Sequence, residues 1–169
     1  MINFFNRKIA SNHFIPYGKQ SINKEDIKSV KMAMQSNFIT QGPLTKEFEE
    51  KISKKVGAKY GVSFNSATSA LHIACKALGL QEGDSLWTSP ITFVASANCG
   101  LYCGAKVDFV DIEPKTGLLS IKKLKEKLLV AEKNNSLPKI VIPVHLAGSS
   151  CDMEEISKLA KQYNFKVIE

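Results

Sequence analysis

Apolar and polar positions along this chain fall into two stretches of different rhythm. In the first, Asn23 is placed to cap a helix from Lys24 to about Gln35, with Asp26 in the first turn and Ile27, Val30 and Met34 as a narrow apolar stripe. Ser36 to Gly42 breaks the period. Pro43 suits a first helical position, Phe48, Ile52 and Val56 line one face of a second helix, and Gly57 can end it. Residues 1–43 therefore read as an N-terminal arm with one helix, and 44–169 as part of a larger domain.

From Tyr60 onward, strand-like and helix-like spacings take turns. Short apolar strands are expected over 60–64, 85–88, 106–112, 139–144 and 165–168, separated by helices over 67–78, 92–103, 121–133 and 153–163. Gly79 and Gly104 follow helices as C-cap glycines do, and Asp152 with Glu155 opens the last helix in the manner of a capping box. Strands separated by helices predict an α/β fold: a parallel sheet with helices on both faces. Ligands of such sheets bind beyond the carboxyl ends of the strands, so the residues just after each strand are the chemical candidates.

Composition narrows this picture. A chain of 169 residues buries roughly 70% of its unfolded surface and needs neither disulfide nor metal to build a core. The net charge of +7 is almost all lysine, with 22 Lys spread along the chain and Arg7 the single arginine. Nucleic-acid readers concentrate their cations and favour arginine forks, so this distribution describes solvated helix faces and predicts no nucleic-acid partner. Cys75, Cys99, Cys103 and Cys151 show no CxxC spacing and are expected to be reduced and buried, with no metal site. Met1 to Phe14 lacks the apolar run of a signal peptide, and the uncharged run from Ser85 to Ala105 is too often interrupted by Ser, Thr, Pro, Asn and Gly to cross a membrane. A cytoplasmic protein is expected.

Three of the strand ends carry candidate chemistry. After 60–64 come Asn65-Ser66-Ala67-Thr68-Ser69, where hydroxyls and free N–H groups at a helix mouth would suit an anion, most naturally phosphate; ordinary N-capping by Asn65 or Ser66 explains the same residues. The loop has no glycine, so it is neither a dinucleotide fingerprint nor a P-loop. After 85–88, Pro90 turns the chain and Thr92 can cap the next helix. That puts Phe93 in its first turn, either stacked on a planar ring or packed in the core. After 139–144, His145 is a candidate polar contact or a structural histidine. Tyr17 lies on an arm that could cover such a site.

The strings IPYGKQ (15–20), ITQGPLTKEFE (39–49), NSATSALHIACKALG (65–79), WTSPITFVASANC (87–99), VDFVDIEPKTG (107–117) and PVHLAGSSCDMEEI (143–156) closely resemble the DegT/DnrJ/EryC1/StrS family of sugar aminotransferases. The resemblance runs from about Ile15 to Glu169. It implies the aspartate-aminotransferase-like large domain of fold type I, incomplete here, with pyridoxal 5'-phosphate as cofactor. Residues matching Ser66, Ala67 and Thr68 would hold the cofactor phosphate, and Phe93 would stack on the pyridine ring; Tyr17 and His145 remain candidate substrate contacts from their positions alone, with a core-packed Tyr17 and a structural His145 as the alternatives. The implied reaction moves an amino group from glutamate to the C4 keto carbon of a UDP-linked 4-keto-6-deoxy sugar, in pseudaminic acid or related nucleotide-sugar biosynthesis, within a homodimer.

The same resemblance places the Asp that pairs with the pyridine nitrogen one residue beyond Glu169, and the Schiff-base Lys farther on. Strand alternation is expected to turn Glu169 itself away, and no Lys present replaces the missing one; Lys76 is the least exposed by pattern. No catalytic residue is therefore assigned, and the isolated chain is expected to be inactive and to bind the cofactor weakly or not at all. The alternative is a non-catalytic fragment, or half of a split enzyme completed by a C-terminal chain. In the implied topology two later strands separate 60–64 from the rest, so that segment is expected to lack its neighbours while the other four strands pair.

Overall fold

The structure, a computed structural model, describes residues 16 and 18–169, so the candidate Tyr17 lies outside the described residues. The chain forms two compact units, one ending at Gly61 and the other spanning Val62–Glu169. The first holds α1 (Lys24–Met34) and α2 (Pro43–Val56). Asn23 caps α1 through its side chain, which accepts from the Glu25 and Asp26 N–H groups at 2.8 and 3.0 Å. The Asp26 carboxylate returns a bond to the Asn23 N–H at 2.8 Å, closing a capping box. Gly57 ends α2 at φ 69, a left-handed conformation that a side chain would strain.

The second unit is a parallel α/β sheet. Its elements are α3 (Ala67–Ala77), β1 (Ser85–Thr88), α4 (Ala95–Tyr102), β2 (Lys106–Phe109), α5 (Ile121–Lys133), β3 (Ile140–Ile142), a 3-10 turn (Leu146–Gly148), α6 (Met153–Tyr163) and β4 (Lys166–Val167). The strand order is β2-β1-β3-β4, every pair parallel, with Leu86 opposite Val107 and Ile140 and Val141 opposite Val167.

Side-chain alternation along the strands feeds two cores. Leu86, Ile140 and Ile142 pack with Cys75, Leu80, Cys99 and Cys103 from the α3 and α4 side. Trp87 and Val141 point the other way, onto Leu124 and Leu128 of α5 and Ile156, Leu159 and Tyr163 of α6. Fully burying a Leu or Ile contributes about 2 to 3 kcal/mol, so a sheet covered on both faces is what makes strands this short worthwhile. All four cysteines are buried free thiols.

Two expectations change. The segment 60–64 forms no strand and has no place in the sheet, because an apolar run of that length becomes a strand only where a neighbour supplies the ladder. The helix expected from residue 92 begins at Ala95, because the Thr92 hydroxyl bonds the Ser96 hydroxyl at 2.9 Å instead of capping a backbone N–H. Strands 106–112, 139–144 and 165–168 are each shorter at their ends than the pattern suggests.

Candidate functional site

The mouth of α3 is built by Ser66. It is the N-cap, in extended conformation, and its Oγ accepts the Ser69 N–H at 3.2 Å while lying 3.0 Å from the Ser69 hydroxyl. The first intrahelical bond runs from the Ala70 N–H to the Ser66 carbonyl at 3.1 Å, which leaves the N–H groups of Ala67 and Thr68 without an intrahelical acceptor. No acidic residue stands in the first turn, so the positive end of the helix dipole is not neutralised from within.

Beside this mouth lies a cleft of about 570 Å³, open to solvent and mostly apolar. Ala67, Ala70, Leu71 and Ala74 of α3 line it together with Ile142 and Val144 at the carboxyl end of β3, Ser96 of α4, His145, Ile168 and Glu169. Small residues on the exposed turns of α3 make room here. A larger cleft of about 690 Å³ lies at the other end of β1 and β2, under α5, away from the strands' carboxyl ends.

Of the residues singled out from the sequence, Ala67 and His145 line the cleft at the strand ends. Ser66 and Thr68 flank Ala67 along the chain. Phe93 sits in the turn before α4, 73% exposed and outside the cleft lining. His145 has both ring nitrogens engaged: Nδ1 accepts the Cys151 N–H at 3.0 Å and Nε2 lies 3.1 Å from a Glu169 carboxylate oxygen. The Cys151 thiol, pushed up by burial, donates to the Val144 carbonyl at 3.3 Å.

Two lining residues were not legible beforehand. Glu169 faces the cleft, against the alternation argument, because the ladder ends at the Val141–Val167 pair and no longer dictates the direction of the residues beyond it. Ser96 arrives from α4, and only its hydroxyl partner Thr92 hinted at a polar position. Lys76 is exposed in α3, so the pattern overstated its burial. Among the described residues no group of three or more His, Cys, Asp or Glu could hold a metal ion, and no helix is long and apolar enough to cross a membrane.

The model of the DegT/DnrJ/EryC1/StrS aminotransferase family matches residues 20–169. The chain belongs to this family.

Among relatives of this aminotransferase-family chain, the UDP-4-amino-4,6-dideoxy-N-acetyl-beta-L-altrosamine transaminase of Campylobacter jejuni is 41% identical over 155 residues, covering 92% of this chain and 40% of the relative. The solved structure of Helicobacter pylori PseC, an aminotransferase involved in the biosynthesis of pseudoaminic acid, superposes with a TM-score of 0.81 at 31% identity, covering 90% of this chain and 40% of that one. The PLP-form of a putative sugar aminotransferase, Spr1654 from Streptococcus pneumoniae, gives 0.80 at 29% identity, covering 91% of this chain and 38% of that one. The chain thus spans about two fifths of the length of the relatives it matches.

Proposed function

We propose that this chain supplies the cofactor-phosphate part of a pyridoxal-phosphate-dependent nucleotide-sugar aminotransferase. The observation that carries the reading is the α3 mouth, with two N–H groups left over and no acidic neighbour in the first turn, opening beside an apolar cleft at the strands' carboxyl ends. A phosphate ester fits that arrangement: the free N–H groups and the helix dipole take the anion. Ala67 and Thr68 would donate backbone N–H groups, and Thr68 its hydroxyl. Ser66 would hold the turn in shape through Ser69. Phe93, already exposed, would cover a face of the ring. When bound, the cofactor supplies an electron-accepting ring through which an amino group can move between carbon skeletons.

The substrate assignment is finer and rests on relatives. A 41% identical transaminase named for a UDP-linked 4-amino-4,6-dideoxy sugar, and the structural likeness to PseC, support a UDP-linked 4-keto-6-deoxy sugar as acceptor, in pseudaminic acid or related biosynthesis, and glutamate is proposed as the amino donor. A cytoplasmic homodimer goes with that reading. The 169 residues alone are proposed to be inactive, since no lysine among the described cleft-lining residues stands ready to bond a carbonyl carbon.

Equilibrium titration with pyridoxamine phosphate, which has no aldehyde to react with surface lysines, tests the site. Binding should depend on the phosphate, be lost for pyridoxamine, and weaken about tenfold in Thr68→Val, the effect of removing one hydrogen bond to a charged group. Equal binding of both amines, or an unchanged affinity in the variant, would overturn the assignment.

A further inference from the structure

Packing does little to hold Phe93. Its side chain and those of Ile91 and Val94 are all exposed, so burial does not fix this turn. The chain is anchored directly afterwards: Ala95 and Ser96 are buried, and the Cys99 thiol donates to the Ser96 carbonyl at 3.4 Å. An exposed aromatic on a turn with no packing of its own keeps one place only if polar bonds tie that turn to the buried part of the chain.

Ser96 makes both ties. Its N–H donates to the Phe93 carbonyl at 3.0 Å, and its hydroxyl lies 2.9 Å from that of Thr92. Ser96 is 8% exposed, and a hydroxyl so deeply buried needs a partner, which makes the second bond costly to break. The pair also stands where a helix cap is missing: Val94, at the N-cap of α4, is itself in helical conformation and makes no side-chain cap bond. Together the two bonds close residues 92–96 into one turn with the exposed Phe93 in its span. Ser96 also lines the cleft at the carboxyl ends of the strands, so the turn and the cleft share a residue.

We propose that Thr92 and Ser96 are positioning residues: their hydroxyl pair holds the 92–96 turn closed and presets Phe93 for covering the cofactor ring. The inference rests on the reading of Phe93 as that cover. An aromatic preset before the ligand arrives loses less freedom on binding, so the pair raises affinity for the ring of the ligand and leaves the hold on its phosphate unchanged.

The test compares the full 169-residue chain with Thr92→Val, which keeps the shape and removes the hydroxyl, Thr92→Ser, which keeps the hydroxyl, and Phe93→Ala. The first readout needs no ligand. Steady-state proton–nitrogen NOE values of the Phe93 and Val94 amides should match those of α4 in the wild type and in Thr92→Ser, and fall in Thr92→Val. Equal values in the wild type and Thr92→Val overturn the inference. The second readout is affinity for pyridoxamine phosphate and for inorganic phosphate. Thr92→Val should weaken the first about threefold to tenfold, leave the second unchanged, and add nothing once Phe93 is replaced by alanine. A residue that merely supported the fold would lower both affinities, with or without Phe93. That pattern, or an unchanged affinity for pyridoxamine phosphate in Thr92→Val, overturns the positioning role while leaving Phe93 as the cover. If the wild type does not bind pyridoxamine phosphate, or Phe93→Ala binds it equally well, the reading of Phe93 as the cover fails, and the positioning role with it.

Discussion

Glu155 accepts from Lys125 at 2.7 Å and Lys158 at 2.9 Å, tying α6 to α5 and to its own next turn. These two ammonium groups hold its carboxyl well below the ordinary 4.5, at about 2. A folded-state value below the unfolded one means that the contribution to stability is present above about pH 4.5 and fades as the pH falls toward 2. Carboxyl carbon NMR should therefore find Glu155 titrating near 2, and Lys125→Ala should move the midpoint upward, with little change in overall stability because the pair is at the surface. A midpoint unaffected by the substitution would contradict the bridge. At this scale the sequence is read most securely where the rule is local. Ser66, Asn23 and Asp152 were candidates for caps because capping spans three residues, and each does cap its helix. His145 and Phe93 were ambiguous because their surroundings come from elsewhere: Glu169, 24 residues on, meets His145, and no side chain covers Phe93, which is 73% exposed.

The elements follow the same division. Helices α1, α2, α3, α5 and α6 appear within a residue or so of the expected bounds, since each carries its own periodicity and caps. The segment 60–64, expected to lack its sheet neighbours, does not form a strand at all, because a strand is a property of two paired segments, while the other four strands pair as expected. The unforeseen feature of α4 is how closely it rides on the sheet. A Cβ at Gly100 would lie 2.9 Å from Val107 Cγ2 and 3.2 Å from Leu86 Cβ, so the helix can approach β1 and β2 only because this position has no side chain. Alanine is the better helix former by about 1 kcal/mol, yet the overlap should outweigh that gain. Gly100→Ala is expected to lose about 1 to 2 kcal/mol in urea denaturation; a stabilised variant would show that α4 has room to shift.

At the scale of the whole molecule, the alternation of strands and helices was enough to predict a parallel sheet covered on both faces, and the two cores on opposite faces of β1 and β3 are that prediction made concrete. The sheet's β2 edge is blunted by a side chain of its own and one from α5: the Phe109 N–H goes to the Asp108 carboxylate at 2.7 Å and Lys127 Nζ reaches the Phe109 carbonyl at 2.7 Å. The cleft was less legible than the sheet, because its walls come from α3, α4, β3 and the residues after β4, which only the strand order brings together. We propose that the α3 mouth of this family member seats the cofactor phosphate. Proton–nitrogen amide spectra of the chain titrated with pyridoxamine phosphate test it most directly. The largest shifts are expected at Ala67, Thr68 and Ser69, with none of comparable size with pyridoxamine; shifts scattered over the lysine-bearing faces of α1, α2 and α5, or identical for both compounds, would rule out a phosphate seat at the α3 mouth.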